Sequence, residues 1–468
     1  MQLFISDQKP PKGLYIRLFT EESSPQDQAH FSAKKNEIQW VSVEEVWLGL
    51  GQKPSLGSLL KATRLFFHKH KQHLPSELCL DLHGFTPEQT EAILTGLWLG
   101  GYSIGLYKTT PPPPAAFYGE SAVLSILLAA PALTDKAFET AIERARHTAA
   151  VQMRCMDLMN APGNKLPPRT LAEWALNSGR SWHYKVTLLE KDSLEALGFE
   201  ALLSVSKGSN EPPVLIQCEY RPETYQQTVV LVGKGVTFDT GGISIKSSAN
   251  MHLMKSDMGG AAAVLGTIEL AARLKLGVRV IGLVPATENC IDGASTKPGD
   301  VIGSYSGQTI EVIDTDAEGR LILADALSYA TQQFEADVLV DLATLTGSVV
   351  QTLGYHAAGL FTSNDTLAAA LAASGERTGE RLWRLPLWPE YHDEVKSDVA
   401  DLRNYHGKPV AGAIVAAAFL EAFTKQHPAW AHLDIAGTAF GDTDLYPNRA
   451  GTAYGVRLLY DFLEHLSS

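Results

Sequence analysis

Asp314-Thr315-Asp316-Ala317-Glu318-Gly319-Arg320 is the stretch from which the rest of this chain can be read. Before it, Thr309-Ile310-Glu311-Val312-Ile313 predicts a β-strand. After it, Leu321 to Ala330 sets apolar residues at helical spacing. Carboxylates and an arginine therefore fall in a short connection between a strand end and a helix start, where open α/β sheets bind ligands. The rival reading is a charged loop whose acids cap the next helix.

A second stretch weighs against that rival. Thr228-Val229-Val230-Leu231-Val232 predicts a buried strand, and it runs into Gly233-Lys234-Gly235-Val236-Thr237-Phe238-Asp239-Thr240-Gly241-Gly242-Ile243-Ser244-Ile245-Lys246 and on to Met254-Lys255-Ser256-Asp257-Met258-Gly259-Gly260. This adds two carboxylates, Asp239 and Asp257, and two lysines, Lys234 and Lys246, among glycines that let the backbone turn sharply. Four carboxylates converging on one point would repel and raise one another's pKa values. Divalent cations relieve that repulsion, and hard oxygen ligands suit Mg, Mn or Zn.

The 468 residues are too many for one ordinary domain and predict two. With 45% hydrophobic and 19% charged residues the composition is that of a soluble globular protein. A net charge of −13 disfavours an extended nucleic-acid surface. The four cysteines, Cys79, Cys155, Cys218 and Cys290, are far apart and form no CxxC, so no disulfide framework and a reducing cytoplasm are expected. The start of the chain lacks the pattern of a signal peptide, and no stretch is long and apolar enough to span a membrane.

The expected fold is α/β, with a small N-terminal α/β domain and a larger C-terminal catalytic domain whose mixed, mostly parallel sheet is flanked by helices. The expected divisions are 1–133 for the first domain, 134–160 for a connecting helix and 161–468 for the second. In the first domain, 13–19 and 78–82 predict strands, 87–100 a helix that opens on proline, and 121–128 a strand. The proline run from Pro111 to Pro114 predicts an extended loop. His68, His70 and His73 are separated by charged residues and read as a solvated helix end rather than a metal site. In the second domain strands are expected at 185–190, 213–220, 228–233, 277–284, 309–314, 337–342 and 430–435. Helices are expected at 168–178, 258–275, 320–333, 410–425 and 451–466.

Other motifs are weaker. Asp239-Thr240-Gly241 matches half of an aspartic protease site, but no second such triplet occurs. Gly233-Lys234-Gly235 opens like a dinucleotide fingerprint, yet Phe238 stands where the third glycine belongs. GxxxxGK[ST], GxSxG and HExxH are all missing.

With both stretches quoted, the chain resembles the leucyl aminopeptidases, the cytosol aminopeptidase family (M17). Asp314–Arg320 is similar to that family's Asn-Thr-Asp-Ala-Glu-Gly-Arg signature, and 232–260 to its other metal-binding segment. Further matches are Pro285–Asn289, Lys297–Val301, Ala343–Gly347, Gly412–Ile414 and His432–Gly437. The likeness runs from about Arg154 to the C-terminus. It implies two divalent ions, Mn or Zn foremost with Mg or Co compatible, held by Lys234, Asp239, Asp257, Asp316 and Glu318. Lys234 would ligate as the neutral amine. The resemblance assigns catalytic roles to Lys246 and Arg320, the arginine holding a bicarbonate that acts as general base. It sets Met254, Thr344, Gly347 and Ala436 in a pocket for the substrate's N-terminal side chain, with Ala439 where some relatives carry a larger residue. The implied activity is release of N-terminal, leucine-like residues from peptides with a free N-terminus, by a cytoplasmic homohexamer without membrane or nucleic-acid partners. Alternatives are the same fold in a DNA-binding regulatory role, a two-metal phosphoesterase and a catalytically silent scaffold. Asp314 departs from the family's asparagine, and a modest effect on metal preference is expected from it.

Overall fold

The computed structural model describes every residue except 26–29, 111–112, 114, 442–444, 447 and 467–468. Pro111, Pro112 and Pro114, of the run expected to form a loop, lie outside the described residues. The chain divides into two compact units, Met1–Met153 and Arg154–Ser468. The division falls inside a long helix, Lys136–Asn160.

The first unit is built on a six-stranded sheet. Its strands are β1 (Gln2–Ser6), β2 (Leu14–Phe19), β3 (Ile38–Ser42), β4 (Glu45–Gly49), β5 (Glu77–Asp81) and β6 (Val123–Leu127), in spatial order β1-β6-β5-β2-β4-β3. Only the β3–β4 pair is antiparallel. Helices α1 (Leu56–His70) and α2 (Pro87–Gly100) share one core with the strands, including Ile16, Leu48, Phe66, Phe67, Leu80 and Leu97. Thr86 and Gln89 cap α2 reciprocally and Pro87 occupies its first turn, so the sequence marks this helix start without tertiary help. The two helices approach closely because Gly96 has no Cβ; one there would lie 2.0 Å from the Thr63 hydroxyl.

The second unit holds a nine-stranded mixed sheet. Its strands are β7 (Lys185–Glu190), β8 (Val214–Tyr220), β9 (Thr228–Gly233), β10 (Gly235–Asp239), β11 (Arg279–Asn289), β12 (Val338–Ala343), β13 (Ala358–Phe361), β14 (Leu382–Arg384) and β15 (Trp430–Asp434). The order is β14-β13-β15-β12-β9-β11-β8-β7, with β10 paired to β11. The central pairs β15–β12, β12–β9 and β9–β11 are parallel, and antiparallel pairing appears at β13–β15, β11–β8 and β8–β7. Parallel strands need covered faces, and β9 and β12 are buried at every position. A helix over Gly259–Arg273 packs on β9, β11 and β12 and is buried from Gly259 to Ala271. Another, over Gly319–Gln333, contributes Leu321, Ile322 and Leu323 to the core that contains Val230 and Val232.

Strand β11 explains the placement of the next feature. Its first half pairs with β9 and its second half with β10. The chain must therefore step sideways between Gly233 and Gly235, where crowding admits only small residues. A Cβ on Gly233 would meet the Gly260 carbonyl at 2.5 Å, and one on Gly235 the Pro285 carbonyl at 2.8 Å. Lys234 is left at the step, at the carboxyl end of the central strands.

One expected strand is much shorter than the sequence suggests. Of 309–314 only Ile310–Glu311 is strand, and it belongs to a separate three-stranded sheet with Val301–Ile302 and Leu402–Arg403. The ladder stops because the amides of Ile313 and Asp314 turn to a side chain, the oxygen of Asn404. Among the described residues no helix is long and apolar enough to cross a membrane.

Candidate metal centre

Five segments bring the charged residues together. Lys234 follows β9 and Asp239 ends β10; Asp257 closes the short turn Met251–Ser256; Asp316 and Glu318 lie before the helix Gly319–Gln333; and Thr344 follows β12. The backbone of Lys234 is fixed on both sides, its N–H donating to Leu342 at 3.0 Å and its carbonyl accepting from Ala261 at 2.9 Å.

The lysine side chain points into the carboxylates. Lys234 Nζ stands 2.7 Å from Asp257 Oδ2 and 2.8 Å from Glu318 Oε1, and donates to the Thr344 carbonyl at 3.0 Å. Lys246 Nζ lies 2.8 Å from Asp239 Oδ2 and also contacts Asp316 Oδ1. One oxygen each of Asp239, Asp316 and Glu318 falls within a span of 4.8 Å, the only such grouping of His, Cys, Asp or Glu ligand atoms among the described residues. Asp257 joins the group through Lys234. The helix-cap reading fails here. Glu318 occupies the N-cap position of Gly319–Gln333 but makes no cap hydrogen bond, and its carboxylate faces Lys234 instead.

Burial dominates the electrostatics. It pushes the Asp257 carboxyl well above the usual range, with the charges of Glu318 and Asp239 adding to the effect and Lys234 opposing it. Burial and the Asp239 charge push Asp316 up to about 7. Burial pulls the Lys234 ammonium down, but Asp257, Glu318 and Asp239 more than reverse this, so its pKa lies above that of an ordinary lysine. Lys246 behaves in the same way. The neutral amine expected of Lys234 therefore requires a stronger cation beside these carboxylates to displace its proton. Burial lowers Arg320 to about 10, which leaves it charged at neutral pH.

The donor set fits divalent ions. Asp257 Oδ2 and Glu318 Oε1 are buried and within ion-pair reach of Lys234, yet neither receives a hydrogen bond of acceptable geometry. Each is thus left with acceptor capacity to offer a cation, and hard oxygens with one amine suit Mn or Zn as readily as Mg. Arg320 donates from Nη1 to the Asn404 carbonyl at 2.7 Å, while its buried Nε has no partner among the described residues and can still meet an anion.

The residues expected in the specificity pocket divide. Thr344 is drawn into the centre, its hydroxyl donating to Asp257 Oδ1 at 2.7 Å. Its methyl group and Ala439 both converge on Gly259, where a Cβ would lie 3.1 and 3.0 Å from them. Met254 is tied to the same acid, its carbonyl accepting from the Asp257 N–H at 3.3 Å. Gly347 faces open space, and Ala436 packs beside Val349 and Phe361.

Two contributors escape a motif reading. Asn289 donates from Nδ2 to Asp239 Oδ1 at 2.8 Å and to the Thr315 carbonyl at 3.0 Å, linking the two charged stretches. Asp434, fully buried, accepts from the Thr346 hydroxyl at 2.7 Å and from the N–H groups of Leu345 and Ala436 at 3.2 Å, and so fixes the turn that carries Thr344. Both lie inside segments the sequence marks, 285–289 and 432–437, but only three-dimensional contact gives them a role.

A family model described as "Cytosol aminopeptidase family, catalytic domain" matches residues 153–460. A probable cytosol aminopeptidase of Chlorobium limicola is 51% identical over 321 residues, which is 68% of this chain and 63% of that protein. One from Chloroherpeton thalassium is 41% identical over 471 residues, covering 97% of this chain and 92% of the relative. Several matches thus take in under two thirds of the relative's length. Among solved structures, the bottromycin maturation enzyme BotP in complex with Mn superposes with a TM-score of 0.87 at 32% identity, covering 97% of this chain and all of that one.

Proposed function

We propose that this chain, which belongs to the cytosol aminopeptidase family, is a two-metal aminopeptidase whose ions are held by Lys234, Asp239, Asp257, Asp316 and Glu318. The observation that carries this reading is the meeting of four carboxylates and a buried lysine at the carboxyl edge of the sheet, with oxygens of three of them inside 4.8 Å. When bound, such a pair polarises a carbonyl, lowers the pKa of a water and binds a free α-amine. The similarity to BotP, a structure in complex with Mn, supports manganese as one occupant; zinc is the other first choice.

The remaining chemistry is assigned to this chain's own side chains. Lys246, partly exposed and among the carboxylates, would stabilise negative charge developing on the substrate carbonyl oxygen. Arg320 stays cationic, and its Nε, without a partner among the described residues, would hold a bicarbonate, which would supply a general base. By family likeness Met254, Thr344, Gly347 and Ala436 would line the pocket for the N-terminal side chain and favour leucine-like residues. Dependence on a free amine would make the enzyme an exopeptidase, since an internal residue has none to offer. A homohexamer in the cytoplasm, acting on peptides, completes the proposal by family likeness.

The test is hydrolysis of leucine p-nitroanilide with and without Mn, beside its N-acetylated form. Metal-dependent turnover confined to the free amine is the expected result. Turnover of the acetylated compound would sink the amine-binding mechanism.

A further inference from the structure

We propose that Asn404 is a positioning residue for the metal centre, acting through the loop that carries Asp316 and Glu318; this rests on the two-metal reading above. Asn404 is 0% exposed and spends its whole side chain on that loop. Its Oδ1 accepts from the N–H of Ile313 at 2.8 Å and of Asp314 at 3.3 Å. Its Nδ2 donates to the carbonyls of Asp314 at 2.6 Å and Ala317 at 3.3 Å. Its own N–H donates to the Glu311 carbonyl at 3.0 Å, and its carbonyl accepts from Arg320. One residue therefore grips the chain from 311 to 320.

The loop depends on this grip because it has little backbone ladder of its own. Backbone pairing ends at Val312, which meets Asp300 and Gly299, and the helix starts at Gly319, so the groups in between need other partners. The arrangement asks for an acceptor on one arm and two donors on the other, within reach of a short side chain, which only an asparagine amide meets. Aspartate would turn an oxygen towards two carbonyls. Outer partners that orient metal ligands change metal affinity by about 10–100-fold when removed.

A nearby contact supplies the control. Asp401 Oδ2 accepts from the Thr309 N–H and hydroxyl, both at 2.8 Å, and so fastens the same two segments without touching residues 313–320. Asn404→Asp, Asp401→Ala and the parent are compared in their full-length, metal-stripped forms by calorimetric titration with Mn, alongside melting temperature, kcat and KM. Asn404→Asp is expected to lose about 10–100-fold in Mn affinity and to lose kcat at saturating Mn, with KM little changed. Asp401→Ala is expected to melt lower but to bind Mn as the parent does. Equal Mn affinity in Asn404→Asp and the parent would overturn the inference, as would an equal loss in Asp401→Ala. If Asn404→Asp does not fold, Asn404→Ser, which avoids the carboxylate–carbonyl clash, takes the same two readouts. A parent that binds no Mn would remove the two-metal reading itself and this inference with it; a parent that binds while the variants match it would remove the inference alone.

Discussion

Replacing Thr344 by valine separates two roles that meet in one side chain. The hydroxyl donates to Asp257 Oδ1 at 2.7 Å, while the methyl faces Gly259 beside Ala439. Valine keeps the shape and the main-chain carbonyl that receives Lys234, and deletes one hydrogen bond to a carboxylate. Such bonds contribute about 1.5–3 kcal/mol. At about 1.4 kcal/mol per factor of ten, that is roughly ten- to hundredfold in affinity for the ion that Asp257 is proposed to hold. Calorimetric titration of metal-stripped protein with Mn measures this directly. Thr344→Ser is the counterpart: it keeps the donor, removes the methyl, and should bind Mn as the parent does while altering the preference between leucine and smaller N-terminal residues. Mn affinity in Thr344→Val within about threefold of the parent, or an equal loss in Thr344→Ser, would refute the assignment of the hydroxyl as a ligand-orienting group.

Two further outcomes follow from neighbouring groups. Asp314 Oδ1 accepts the Asp316 N–H at 2.9 Å, a turn that asparagine closes equally well, so Asp314→Asn should leave Mn affinity within about threefold; Asp314→Ala should lower it about fivefold by removing roughly 1 kcal/mol. Asp325, fully buried and holding the N–H groups of Leu202 and Tyr305, has its carboxyl pushed up to about 7 by burial. The folded state therefore retains a proton that the unfolded chain loses near pH 4, and stability should fall as pH rises from about 4 to about 7 and level off above, by up to about 4 kcal/mol from this group. Denaturant midpoints across that range check the sign; Asp325→Asn should be less stable but lack this share of the pH dependence, and an unchanged profile in the variant would discard the assignment.

The elements most legible in the sequence are those that local chemistry marks. The strand Thr228–Gly233 is an unbroken apolar run, the helix Pro87–Gly100 carries its own capping box and proline, and the chain Gly319–Gln333 has an apolar face. The shorter strands Ala358–Phe361 and Leu382–Arg384 escaped, because four or three residues leave no period to count. The region 309–314 misled for the opposite reason. Its alternation is that of a strand, but Asn404, about 90 residues later, takes the amides a longer ladder would need.

The order of residues is enough to single out the charged groups, since carboxylates, lysines and an arginine packed among glycines in two short stretches have few chemical uses. It is also enough for the α/β class, through the alternation of strand and helix patterns. Which atoms meet is a matter of tertiary contact. The sideways step at Gly233–Gly235 sends Lys234 between Asp257 and Glu318, Asn289 ties Asp239 to the Thr315 carbonyl, and Asn404 holds the loop that carries Asp316 and Glu318. Hydrogen bonds of this kind join residues 50 to 90 positions apart, and a pattern read along the chain carries no information about partners that distance brings together.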